Sequence, residues 1–382
     1  MPPSLPSELW LEIITLLPRA DLPNLARVSK TLYDLTVEPL YQNVDLTNQW
    51  NSHKATESFF WTAIKRPGLL RLVKQVTFQI LTDPWLDNGA TLIYHPDALK
   101  EYRWIQDLMI TFTSSPSQAK EWCSALFEDE NYLPVFDFLV CMMSWSLESL
   151  TVYDYGRISK YKDHYLPGAL LRTTQQPQSD MDHPYPFSRL QEVKLYRETF
   201  KSTFQSIDSI IPFLELKSLK RFVGQKFIFN DSSPLNNELT TFYVESLELW
   251  DCKLPKVPFL QSFKALKTFK YTSQFEWMPC FADIMRVDLR IRESLQEIVF
   301  DDRIEECIEG HQCPLDLTSF KVLTSLELSS YSSVGSPRWR LFEYDADSSP
   351  IFTSQQIQGF ITRLPRSLQY LKITDCIYEI IP

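Results

Sequence analysis

Residues 244–252, VESLELWDC, decide the fold. Val244, Leu247 and Leu249 occupy the first, fourth and sixth places of the phrase, and Cys252 closes it at the ninth. Its second half alternates apolar with polar residues, which is the pattern of a half-buried strand. The same apolar spacing starts again at Leu147, Leu190, Leu219, Leu266, Leu295, Leu323 and Leu368. Successive starts are 43, 29, 25, 22, 29, 28 and 45 residues apart. Five of those seven intervals hold one strand and one return segment, a unit that buries its apolar edge only against the next copy. The phrase therefore predicts stacked α/β repeats.

The last copy continues as Leu368-x-x-Leu371-x-Ile373-x-x-Cys376, so it shares L-x-x-L-x-L-x-x-C with residues 244–252. This resembles leucine-rich repeats, in which the Cys or Asn turns inward under the strand. The resemblance implies an irregular solenoid, a horseshoe, over residues 69–382. An ordinary α/β domain with leucine-rich strands is the alternative, since no uniform Asn position recurs. Two insertions, 172–188 and 330–350, are rich in Pro, Ser, Gln and Asp and are expected as surface loops.

Strand alternation turns the leucines inward and puts the residues around them on the concave side. Those positions carry Tyr153, Tyr196, Trp250 and Tyr370, the candidate substrate-binding residues. Aromatic side chains bury large area with few torsions to freeze, which suits protein recognition. The charges beside them are Lys194, Arg221, Lys270 and Lys372 against Glu192, Glu248, Glu297, Asp301 and Glu327. Such a balanced face does not attract nucleic acid.

A different pattern opens the chain. From Glu8 to Leu17, seven of ten residues are large and apolar: Leu9, Trp10, Leu11, Ile13, Ile14, Leu16 and Leu17. Pro6 is expected at the first helical position and Pro18 stops the helix. Asp21 and Ser29 are expected to cap two further helices, the last ended or kinked by Pro39. A helix apolar nearly all round must be covered nearly all round, and a segment of about 40 residues rarely supplies that cover itself. Something outside the segment has to do so.

Leu5-Pro6, Glu8-Leu9, Ile13, Leu16-Leu17-Pro18, Asp21-Leu22, Leu25, Val28-Ser29-Lys30 and Leu32-Tyr33 together resemble an F-box. The resemblance implies a three-helix module at residues 1–46 that docks on the Skp adaptor of a cullin-based ubiquitin ligase. The implied contact set is Leu5, Pro6, Leu9, Ile13, Leu17 and Leu22, supported by Val28 and Leu32. Where the family often has Cys-Arg and Trp, this chain has Ser29-Lys30 and Leu32-Tyr33. A DNA-reading helix pair is disfavoured, because residues 5–46 hold three cations against six carboxylates.

Between the two patterns, residues 47–68 read as a linker with a helix whose Phe59, Phe60, Ala63 and Ile64 share one side. Val73, Val76 and Phe78 alternate as a strand does. Helical signals then run from Asp97 to Ser144, interrupted near Pro116 and Pro134, and more than half of the rings of Trp104, Trp122 and Trp145 are expected in the core.

The 382 residues are 44 % hydrophobic and carry net charge −10, which argues for folded domains and against nucleic acid or an anionic membrane as a general partner. The start lacks a signal-peptide layout, and the greasiest run, Val135 to Trp145, contains Asp137 and is too short to span a bilayer. Seven cysteines, an odd number, suit a reducing compartment, either cytoplasm or nucleus. Eight glycines form no phosphate loop or hydrolase elbow, and the histidines lack H-E-x-x-H. Cys307, His311 and Cys313 lack paired zinc spacing. The expectations are no enzyme, no catalytic residue, no cofactor and no metal. The chain reads as a substrate-recognition adaptor joining the Skp adaptor, and through it cullin, to a protein substrate. The alternative is an F-box scaffold acting outside any ligase.

Overall fold

In a computed structural model of the 382-residue chain, the described residues are 5–47, 52–79, 98–128, 133–153, 165–175, 185–197, 204–228, 241–254, 259–273, 289–302, 316–329 and 354–374. The chain divides into two compact units, residues 1–193 and 194–382.

The first unit begins with helices α1 (Ser7–Leu16), α2 (Leu22–Ala26) and α3 (Lys30–Gln42). Pro6 is the N-cap of α1 and not its first helical residue. Ser29 caps α3 as expected, its Oγ accepting from Leu32 N at 3.2 Å. Asp21 stands at the N-cap of α2 without a side-chain bond, because residues Arg19–Asp21 are already a 3-10 turn and hold it in helical conformation. Pro39 lies inside α3, which continues to Gln42.

α3 leads directly into β1 (Asn43–Leu46), which pairs in parallel with β2 (Gln75–Gln79), and β2 with β3 (Ser149–Tyr153). Val44 and Leu46 align with Val76 and Phe78, and these with Leu150 and Val152; all six are buried. The same apolar spacing thus occurs at two further strands, Tyr41-x-x-Val44-x-Leu46 and Val73-x-x-Val76-x-Phe78, the second of them expected as a strand.

Helix α4 (Ser52–Lys65), expected within a linker, is packed into this unit: Phe59, Phe60, Ala63 and Ile64 are buried, and Phe60 meets Phe138 edge to face at 5.5 Å. Pro116 and Pro134 stand at the starts of α6 (Pro116–Glu128) and α7 (Leu133–Met143), which follow α5 (Ala98–Met109). A missing N–H costs nothing there. Every residue of α7 is buried. Its Asp137 accepts from the backbone N–H of Tyr165 and Leu166 at 2.8 and 3.2 Å, anchoring the start of α8 (Leu166–Gln175). Of the three tryptophans expected mostly in the core, Trp122 is buried and stacks on Tyr165, whereas Trp104 and Trp145 are exposed. The expected insertion loop at 172–188 is in part helical: 172–175 close α8, where Thr173 is buried and bonds back to Ala169 O. The insertion at 330–350 lies outside the described residues. β4 (Glu192–Leu195) spans the boundary between the units.

In the second unit β5 (Gln205–Ser206) pairs with β7 (Phe227–Ile228) apart from the main ladder, and α9 (Ile211–Leu214) is one buried turn. The main ladder is parallel, in the order β6 (Arg221–Gln225), β8 (Ser246–Trp250), β9 (Thr268–Ser273), β10 (Glu297–Asp302), β11 (Ser325–Ser329) and β12 (Tyr370–Thr374). Helices α10 (Leu289–Ser294) and α11 (Ser354–Ile361) lie in the intervals. Each phrase falls in register with the next: Phe222, Leu247, Phe269, Ile298, Leu326 and Leu371 form one row, and Gly224, Leu249, Tyr271, Phe300, Leu328 and Ile373 another. Up to β11 these side chains are buried, and on β12 Leu371 is exposed.

The same bond closes each step. The carbonyl of the phrase's second residue accepts two N–H groups from the next copy: Lys220 O from Glu245 and Ser246, Glu245 O from Lys267 and Thr268, Lys267 O from Gln296 and Glu297, at 2.7 to 3.0 Å. Gln296 and Thr324 continue the series, and in the first unit Lys74 O accepts from Glu148 and Ser149.

Candidate functional site

The amino-terminal helices present one surface. Inside them Ile14, Leu22, Leu32 and Thr36 are buried, with Thr36 Oγ1 bonded to Leu32 O at 2.7 Å. Ile14 is the only buried residue of α1. Leu9 and Ile13 are 44 % and 38 % exposed, Leu16 is 84 % exposed, and Leu5 and Leu11 are exposed as well. Beyond α2, Val28 is 70 % exposed. Leaving this many large apolar groups in water costs about 1.5–3 kcal/mol for each that a partner could bury, and such a patch marks an interaction surface.

Of the contact residues expected from the sequence, Leu5, Pro6, Leu9, Ile13 and Val28 are exposed, and Leu17 is half-buried at the helix end. Leu22 and Leu32 are buried in the chain alone and lie beneath the exposed set. Leu11 and Leu16 also belong to the exposed set, although the family pattern does not single them out as contacts. The sequence signal for them is the apolarity of α1 itself, and only the fold tells which side α3 covers.

Residues 3–47 match the F-box-like family model. The chain therefore carries an F-box-like domain, whose last residues are also β1 of the parallel ladder. F-box domains generally bind the Skp adaptor, a protein partner. The comparison with curated proteins finds no match. Besides the β1–β2 ladder, Lys74 N donates to Gln42 O at 2.9 Å and Arg66 Nη1 donates to the Tyr33 hydroxyl at 3.3 Å, tying the F-box-like domain to the segment around α4 and β2. Burial, then the neighbouring Tyr33, raises the pKa of Tyr41.

The second candidate surface is the outward side of β6 to β12. Trp250 is 40 % exposed and Tyr370 52 %. They stand in different rows and four ladder steps apart, about 19 Å at ordinary strand spacing, so the fold does not gather them into one patch. Tyr153, in the first unit, and Tyr196 are half-buried. The charges are tied across strands: Arg221 to Glu248 at 3.2 Å, Lys270 to Glu297 at 2.9 Å and Lys372 to Glu327 at 2.6 Å. Glu248 also accepts from Trp250 Nε1 at 2.9 Å. Val223, outward on β6, is buried, whereas Arg221 on the same strand is exposed.

Cys252 turns under the strand as expected and is buried, its Sγ 3.4 Å from Trp250 O and 3.6 Å from Gly224 O. Burial pushes its pKa up to about 12. Cys376, Cys307, His311 and Cys313 lie outside the described residues. Among the described residues, no three His, Cys, Asp or Glu gather to hold a metal, and no helix is long and apolar enough to cross a membrane.

Proposed function

We propose that this protein is a substrate-recognition adaptor of a Skp–cullin–F-box ubiquitin ligase. The observation that carries this reading is the open apolar surface of α1, with Leu9, Leu11, Ile13 and Leu16 exposed on a domain that matches the F-box-like family. The Skp adaptor would supply the missing cover. The in-phase parallel ladder and the inward Cys252 support reading residues 69–382 as an irregular leucine-rich-repeat solenoid that holds a protein substrate. The protein would contribute proximity and orientation, with no catalytic residue and no cofactor.

Co-expression with the Skp adaptor and cullin tests this. The wild-type chain should co-purify with both, and Leu9→Ala with Ile13→Ala should release both. Retention of the adaptor without cullin would favour a scaffold outside any ligase, and full adaptor binding by the double variant would refute the docking surface. A substrate trap lacking the F-box helices should start at residue 43, because residues 43–46 are a ladder strand.

A further inference from the structure

We infer that the outward face around Trp250 recognises an unphosphorylated, extended protein segment through a Lys or Arg side chain laid on the indole ring. This deepens, and rests on, the reading of that face as the substrate surface. Two observations carry it, one about the cations of the face and one about the ring.

A phosphate needs a cation with capacity to spare, ideally a guanidinium fork. Across the outward rows of β6 to β12 the cations are Arg221, Lys270 and Lys372, and each is already held by a carboxylate: Glu248, Glu297 and Glu327. Lys226 follows β6 in the left-handed conformation, at φ 59°, and so leaves the pleat. With Asp301 the rows carry four carboxylates against three cations. A phosphorylated segment would have to break an ion pair and then sit among carboxylates.

The ring favours the opposite charge. Trp250 donates its Nε1–H to Glu248 Oε1 at 2.9 Å, which pins the indole and makes its π face more electron-rich. Thr272 is its ladder partner on β9 and Asp301 is next in the same row on β10, so a second carboxylate lies about 10 Å away. Glu248 is shared with Arg221 and stands opposite Lys270, so the charges nearest the ring balance, and the preference for a cation comes from the electron-rich indole face itself. The Thr272 hydroxyl stands beside Trp250 and that of Ser246 lies four residues back along β8, about 13 Å away, so both can bond the backbone of a segment that runs along the strand.

The test uses the full chain co-purified with the Skp adaptor. Peptides selected from a random phage-displayed library on the wild type, and counter-selected on Trp250→Ala, are synthesised with the common residue as Lys, Arg, acetyl-lysine, Glu or phosphoserine. Affinities are read by fluorescence anisotropy. The expected result is a shared Lys or Arg whose acetylation or replacement weakens binding about tenfold. Trp250→Phe, which keeps a ring but loses the Nε1 bond to Glu248, should keep only part of the affinity, and on Trp250→Ala acetylation should make no further difference. Tighter binding of the phosphoserine or Glu peptides would overturn the inference while leaving the face as a binding site. No Trp250-dependent peptide at all would overturn the reading of the face itself.

Discussion

Replacing Gly224 by Ala should destabilise the second unit, although Ala is ordinarily the better residue in a strand. Gly224 takes the place that Leu249, Tyr271, Phe300 and Leu328 take in the following copies. A Cβ there would lie 2.8 Å from Cε1 of Phe222 and 3.2 Å from Cδ2 and Cε2 of Phe227. Both rings are buried, so neither can swing into solvent to make room. Overpacking of this kind costs about 1–3 kcal/mol. The entropy that Ala removes from the unfolded chain returns only about 0.4–1 kcal/mol. The net expectation is a loss of about 1–2 kcal/mol, read as a lower urea midpoint at unchanged slope. Phe227→Leu in the Gly224→Ala background should cost less than Phe227→Leu alone, because the smaller side chain frees the space. A Gly224→Ala chain as stable as the wild type, or additive effects in the pair, would refute the argument.

Leu9→Ala with Ile13→Ala should lower affinity for the Skp adaptor by about one to two powers of ten in calorimetric titration, while circular dichroism stays unchanged because both residues are exposed in the free chain. Ser29→Ala removes the one side-chain cap seen on α3 and should cost about 0.5–2 kcal/mol by thermal unfolding. Cys252 should resist maleimide until the chain unfolds. Its buried thiol keeps its proton up to about pH 12, whereas in the unfolded chain it loses it from near 9, so the fold binds the extra proton. The difference in stability between wild type and Cys252→Ala should therefore be flat below about pH 8 and fall above pH 9 by up to about 1.4 kcal/mol per pH unit. Lys226→Gly, at φ 59°, relieves about 1–2 kcal/mol of backbone strain against about 0.4–1 kcal/mol of added unfolded-chain entropy, so it should stabilise by about 0.5 kcal/mol in urea denaturation.

The sequence by itself determined the repeating strands and the exposed apolar helix. Leu147, Leu219, Leu266, Leu295 and Leu323 each begin a phrase whose strand forms where its alternation placed it, because a two-residue period admits one inward face. The amino-terminal pattern was readable because Leu9, Leu11, Ile13 and Leu16 are too many for three short helices to bury. Only the tertiary structure decided which of them stay open: Ile14 turns to α3 and Leu16 away from it, a choice set by how the helices pack and invisible in a helix apolar on all sides. The fold alone also showed that residues 43–46 are a ladder strand, since Tyr41-x-x-Val44-x-Leu46 has no leucine at its head and follows a helix without a break. On the outward face the sequence placed Trp250 beside Glu248, but the pairing of Arg221, Lys270 and Lys372 with carboxylates on adjacent strands depends on register. Register is a property of two strands together, and no single stretch of chain contains it.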